Sequence, residues 1–203
     1  MKILVATHNP GKRREYAALL ADMDAEFLTL DDVGIDTDIE ETGASLEENA
    51  RLKAVGYARL SGLLTLADDS GLEVDALNGR PGVHSARYAG PGAGDADRYR
   101  KLLGEMSEVP DAARTARFRC VVALCTPEGE VYTADGVCEG DIGYEPRGEH
   151  GFGYDPVFVV AGQGGKTMAE LPPDLKNRIS HRAHALEAIK PTLARLIAGR
   201  TAG

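Results

Sequence analysis

The chain has 203 residues, 43% of them hydrophobic and 27% charged, and a formal net charge of −9. That balance fits an ordinary globular chain with a substantial core, and it excludes intrinsic disorder and a broad nucleic-acid-binding face. No apolar run reaches the eighteen or so residues of a membrane span and no charged-then-apolar leader opens the chain, so the expected location is the cytoplasm, with no membrane partner.

Residues 2–6 carry Ile3, Leu4 and Val5 in succession, the pattern of a strand buried on both faces of a parallel sheet. Thr7-His8-Asn9-Pro10-Gly11-Lys12 then predicts a tight turn into a helix, with Asn9 as N-cap and Pro10 at the first helical position. Tyr16, Leu19, Leu20 and Met23 recur at helical spacing. Backbone N–H groups and the Lys12 ammonium at the strand's carboxyl end make an anion site. The stretch is not a Walker A loop, because Ala6 and Arg13 stand where that motif needs Gly and Ser or Thr. A cation accompanying bound phosphates must therefore be held elsewhere, by acids further along the chain.

A second strand is expected at 26–30, followed by an acidic loop that holds Glu40 and Glu41, free to turn toward a metal. Ser45 and Glu48 form a capping box for a helix running to about Leu60. Leu46, Ala50, Ala54 and Tyr57 make its apolar stripe, while Asn49 and Lys53, four apart, share another face. Glu47 and Arg51 read as a surface pair of no further consequence. The next strand ends at Ala67, and Asp68-Asp69-Ser70-Gly71 reads as an acidic turn at its carboxyl end. Ligands bind at such strand ends in open α/β sheets, and paired carboxylates there can hold a divalent cation while one takes a proton from water.

Asn78-Gly79 marks a turn and residues 80–90 form a long loop dense in Gly, Pro and polar groups. A helix is expected at 96–106, then a hairpin of strands at 116–126 and 130–137, and a strand at 156–160 after Gly151-Phe152-Gly153-Tyr154-Asp155. Two aromatics and an acid there offer a platform for a ligand base or a packing junction. A short helical piece carries Lys176, and Ser180-His181-Arg182 opens a last helix that Pro191 should kink or divide. A basic pair at a helix N-terminus is electrostatically misplaced without a nearby anion or polar ligand. The two basic groups, Lys12 to Arg14 and Lys176 to Arg182, suit a small polyanion better than a polymer. Cys120, Cys125 and Cys138 lack zinc spacing and read as reduced core residues.

Six stretches, taken together and in order, resemble the inosine triphosphate pyrophosphatases, which act on ITP, dITP and XTP. They are Thr7 to Lys12; Glu41-Thr42-Gly43 continuing through Glu48-Asn49-Ala50 to Lys53-Ala54; Ala67 to Leu72; Pro81 to Tyr88; Gly151 to Pro156; and Ser180-His181-Arg182. His8 and His84 depart from the Gly and Tyr common in relatives. The resemblance spans the chain as one domain, residues 1–203. It implies an elongated two-lobed α/β fold with a long mixed central sheet flanked by helices and a nucleotide cleft between the lobes. It also implies Mg2+ dependence, a homodimer, and hydrolysis of the triphosphate to nucleoside monophosphate and pyrophosphate. On the same ground Thr7, His8, Asn9, Pro10, Gly11, Lys12 and Lys176 would grip the triphosphate, and Ser70, Phe152, Gly153, Tyr154, Asp155, His181 and Arg182 would contact the nucleotide. Asp69 would be the proton acceptor and a metal ligand, with Glu40 the second metal contact and Glu41 and Asp68 as close substitutes.

Overall fold

The computed structural model describes residues 1–201. Its strands are β1 (Lys2–Val5), β2 (Glu26–Thr29), β3 (Leu64–Val74), β4 (Thr115–Cys125), β5 (Val131–Ile142) and β6 (Phe158–Val160), and its helices are α1 (Pro10–Leu19), α2 (Leu46–Ser61), α3 (Asp95–Glu105), α4 (Pro173–Ile179) and α5 (His181–Thr201). The strands form one six-stranded sheet in the order β2-β1-β3-β4-β5-β6. It is mixed: β1 runs parallel to β2 and β3, and β5 pairs antiparallel with β6.

The chain divides into two compact units, one of Met1–Asp69, Cys120–Gly136 and the residues from Arg182 onward, the other of Ser70–Arg119 and Val137–His181. Each has its own core. In the first, Ile3, Val5, Leu64, Leu66, Cys120, Val122 and Leu124 alternate along their strands and present one face to Tyr16 and Leu20 of the α1 region and to Leu186, Ile189 and Leu193 of α5. The second gathers Leu72, Val74, Leu102, Met106, Phe118, Tyr154, Phe158 and Met168. All three cysteines are buried and free, and among the described residues no helix is long and apolar enough to cross a membrane.

Three local expectations change. Asp68 to Gly71 are not a turn, because β3 continues through them to Val74. Gly71 is there for closeness: a Cβ at this position would lie 2.3 Å from the Gly82 carbonyl oxygen. Pro191 does not divide α5, which contains it in a single run from His181 to Thr201. At α1 the Asn9 side chain accepts from Gly11 N and Lys12 N at 2.8 and 3.1 Å, as an N-cap should. Ser45 likewise accepts from Glu48 N at 3.2 Å. Glu48 instead reaches one residue further back, accepting from Ala44 N at 2.6 Å.

Candidate functional site

In the first unit the strand pattern separates two adjacent acids. Successive side chains of a strand point to opposite faces, so continuity of β3 sends Asp68 one way and Asp69 the other. The parallel register Val5↔Leu66 brings the β1–α1 turn alongside Asp68. There Asp68 Oδ2 accepts from Lys12 Nζ at 2.9 Å and from Arg182 Nη2 at 3.0 Å, with Cys120 Sγ at 3.6 Å. Arg182 also donates to Glu15 on α1. Arg182 is completely buried and Asp68 nearly so. Burial opposes the charge on Asp68, but Lys12, Arg182 and Lys53 outweigh it and hold the carboxyl far below its ordinary 3.8. Burial and the Asp68 charge together push the Cys120 thiol up, which leaves it protonated and inert.

The other face belongs to α2. Asn49 Nδ2 donates to Asp69 Oδ2 at 3.2 Å, and Lys53 Nζ lies 3.2 Å from Asp69 Oδ1 and 2.6 Å from Glu41 Oε1. The four-residue spacing of Asn49 and Lys53 puts both one turn apart over the same carboxylate. Burial raises Asp69 above 3.8 despite the opposing pull of Lys53 and Lys12. Adjacent residues thus acquire opposite character: Asp68 is locked as an anion, and Asp69 is a carboxylate with heightened proton affinity. Environments that push two acids apart separate an anchor from a base.

The Thr7 to Lys12 turn is internally occupied in this structure. Asn9 holds two of its amides, Thr7 Oγ1 accepts from Asn9 N at 3.2 Å, and His8 Nε2 faces Asp38 Oδ1 at 3.5 Å. Glu40 is exposed, and its carboxylate makes no hydrogen bond or ion pair among the described residues, whereas Glu41 reaches the Asp69 cluster through Lys53. The donors suit magnesium. Glu41 and Asp69 aim two hard oxygens at one cationic centre, the Lys53 ammonium, and magnesium is usually bound by one or two carboxylates completed by phosphate oxygens and water. Among the described residues no group of three or more His, Cys, Asp or Glu side chains gathers to make a metal cage.

The second unit builds a different cluster. Asp155 Oδ2 accepts from Phe152 N at 2.8 Å and from Lys176 Nζ, and that ammonium lies 4.8 Å from the Phe152 ring centre. Lys176 and Asp155 are both buried. The His181 ring stacks on Phe118 at 4.8 Å with planes 17° apart. Tyr154 donates its hydroxyl hydrogen to Ser85 O at 2.9 Å, and Gly153 N donates to Asp95 Oδ2 at 2.7 Å. Ser70 is half-buried in the same unit. The basic group near the C-terminus is therefore split, with Lys176 and His181 in this unit and Arg182 in the charge cluster of the first. The misplaced charge at the start of α5 is compensated by Asp68 and Glu15.

Glu15, Asn49, Lys53, Cys120 and Asp95 join these clusters without having been singled out as site residues, whereas Glu41 was named only as a substitute for Glu40. Glu15 follows Lys12 by one helical turn, and that spacing is the signal that could have found it.

Solved structures share this α/β architecture. A HAM1 protein from Coxiella burnetii superposes with a TM-score of 0.86 at 44% identity, covering 96% of this chain and 99% of its own. A nucleoside-triphosphatase / dITP/XTP pyrophosphatase from Mycobacterium abscessus gives 0.76 at 47% identity over 94% and 100%. A dITP/XTP pyrophosphatase of Geobacter sulfurreducens is 50% identical over 192 residues, 95% of this chain and 96% of that protein. One from Bacillus subtilis is 48% identical over 94% and 96%. Residues 3–192 match the Ham1 family, and the chain belongs to that family.

Proposed function

We propose that this protein hydrolyses deaminated purine nucleoside triphosphates, ITP, dITP and XTP, to the nucleoside monophosphate and pyrophosphate. Relatives of about half identity carry the name dITP/XTP pyrophosphatase, and the observation that carries the chemistry is the division of labour between Asp68 and Asp69. Cleavage between the α and β phosphates needs an activated water, neutralisation of the leaving pyrophosphate and a positioned chain. Asp69, raised by burial and oriented by Asn49, takes the proton from water. Asp68 holds Lys12 and Arg182 in place, and Lys12 meets the phosphates. Asp69 and Glu41 would hold magnesium, which when bound neutralises charge on the pyrophosphate. Glu40, next to Glu41 in sequence, is a further candidate.

We assign the base to the second unit's cluster, with Phe152 as the stacking face and His181 as a donor toward a 6-keto oxygen. Lys176, which the resemblance gave to the triphosphate but which lies by the Phe152 ring, joins His181 as a donor. Adenine presents an amino donor at that position, and two facing donors left unpaired cost about 1–3 kcal/mol each. ATP is disfavoured on that ground, while GTP shares the 6-keto oxygen. Arg182 would serve the base only by leaving Asp68 and Glu15. A homodimer, on resemblance alone, and the cytoplasmic location expected from the sequence complete the proposal.

The test is pyrophosphate release from ITP, XTP, GTP and ATP, with and without magnesium, at neutral and alkaline pH. Strong magnesium-dependent release from ITP and XTP is expected. Release from none of them, or of single phosphate instead, overturns the proposal.

A further inference from the structure

The loop that carries Phe152 is held at two consecutive amides. Phe152 N donates to Asp155 Oδ2 at 2.8 Å, and Gly153 N donates to Asp95 Oδ2 at 2.7 Å. These N–H groups belong to the peptide planes before and after the Phe152 Cα. Fixing both planes fixes φ and ψ of Phe152, and only the side-chain torsions remain. The first tie is local, because Asp155 lies within the loop; Gly151, at φ 80° with room for no Cβ beside Asp155 Oδ2, lets that carboxylate come in. The second comes from the first residue of α3, 58 positions away. Asp95 is itself restrained: its Oδ1 accepts from Arg98 Nη1 at 2.6 Å, and Arg98 Nη2 donates to Ala93 O at 2.8 Å.

We propose that Asp95 is a positioning residue for base recognition, one that sets the second peptide plane so that the Phe152 ring is presented before a base arrives. The inference rests on the reading of Phe152 as the stacking face. A ring oriented in advance spares the ordering cost at binding, so loss of Asp95 weakens capture of substrate rather than the chemical step.

The experiment compares wild type, Asp95→Ala and Asp95→Asn by hydrogen–deuterium exchange of residues 151–155 in the free enzyme, and by steady-state pyrophosphate release from ITP with magnesium. In Asp95→Ala the exchange at Gly153 and KM for ITP should each rise about tenfold, with kcat within about twofold. Asp95→Asn keeps an acceptor oxygen for Gly153 N and should recover most of both effects. A purely structural role would instead raise exchange throughout α3 and lower kcat through a smaller active fraction, with KM unmoved, and that result overturns the proposal. So does unchanged exchange at Gly153, or an Asn variant no better than Ala. Wild-type enzyme inactive on ITP would sink the substrate reading and this inference with it; a failed Asp95 comparison in an enzyme that cleaves ITP sinks the Asp95 proposal alone.

Discussion

Around Asp68 and Asp69 the geometry comes from regular elements: a strand sends two adjacent acids to opposite faces, and one helical turn sets Asn49 and Lys53 over the second of them. Around Phe152 it comes from a loop whose amides are held by the carboxylates of Asp155 and Asp95. The first region commits buried charges, fixed by partners on several elements. The second, although it also buries the Lys176–Asp155 pair, uses its carboxylates to set backbone direction and so orients an aromatic ring. Chemistry on a polyanion needs charges that do not relax, whereas recognition of a base needs a surface of fixed orientation. Damage to the first should therefore appear in stability or turnover, and damage to the second in substrate affinity.

The largest effect on stability should come from Asp68→Asn, which leaves Lys12 and the buried Arg182 without their shared carboxylate. Removing one partner of a buried ion pair costs about 3–5 kcal/mol, measurable by denaturant unfolding. A loss below about 1 kcal/mol would mean that Glu15 alone suffices for Arg182. Next is Phe152→Ala, expected to weaken ITP binding by about 1–3 kcal/mol through lost stacking while sparing kcat; a fall in kcat with unchanged KM would remove Phe152 from base recognition.

The smallest effect belongs to Asp75, whose carboxylate is lowered by hydrogen bonds from Arg117 and Thr115 but is largely solvated. Its folded value lies below 3.8, so its contribution is present above that pH and is lost as the pH falls through the folded value. Asp75→Asn should cost under about 1 kcal/mol at neutral pH. The difference from wild type should shrink in acid unfolding curves, and a constant difference down to the most acid point would show that the hydrogen bonds do not depend on the charge.

Features set by local chemistry were legible in the sequence: the Asn9 cap, the Ser45 cap, the unbroken apolar run of the doubly buried first strand and the shared face of Asn49 and Lys53. The Ham1 relationship was legible from motifs in order. What the sequence concealed were contacts made over distance. Ser70-Gly71 has the composition of a turn, yet the glycine answers to the approach of Gly82 O, a demand that is invisible locally. With a turn assumed there, the period-2 alternation that separates Asp68 from Asp69 could not be drawn. Glu41 rather than Glu40 reaches Lys53 because of the path of a loop with no periodicity to read. Asp95 reaches Gly153 across 58 residues with no sequence signal beyond its place at a helix start.

The most direct measurement of the division between the two acids is kcat for ITP in Asp69→Asn, taken with the unfolding free energy of the same preparation. The account predicts a fold at least as stable as wild type, since a buried acid with raised proton affinity is replaced by a neutral amide. It predicts turnover reduced about 10²–10⁴-fold, the range of a general base. Near-normal turnover in a folded Asp69→Asn variant would contradict the account and return the proton-accepting role to another group.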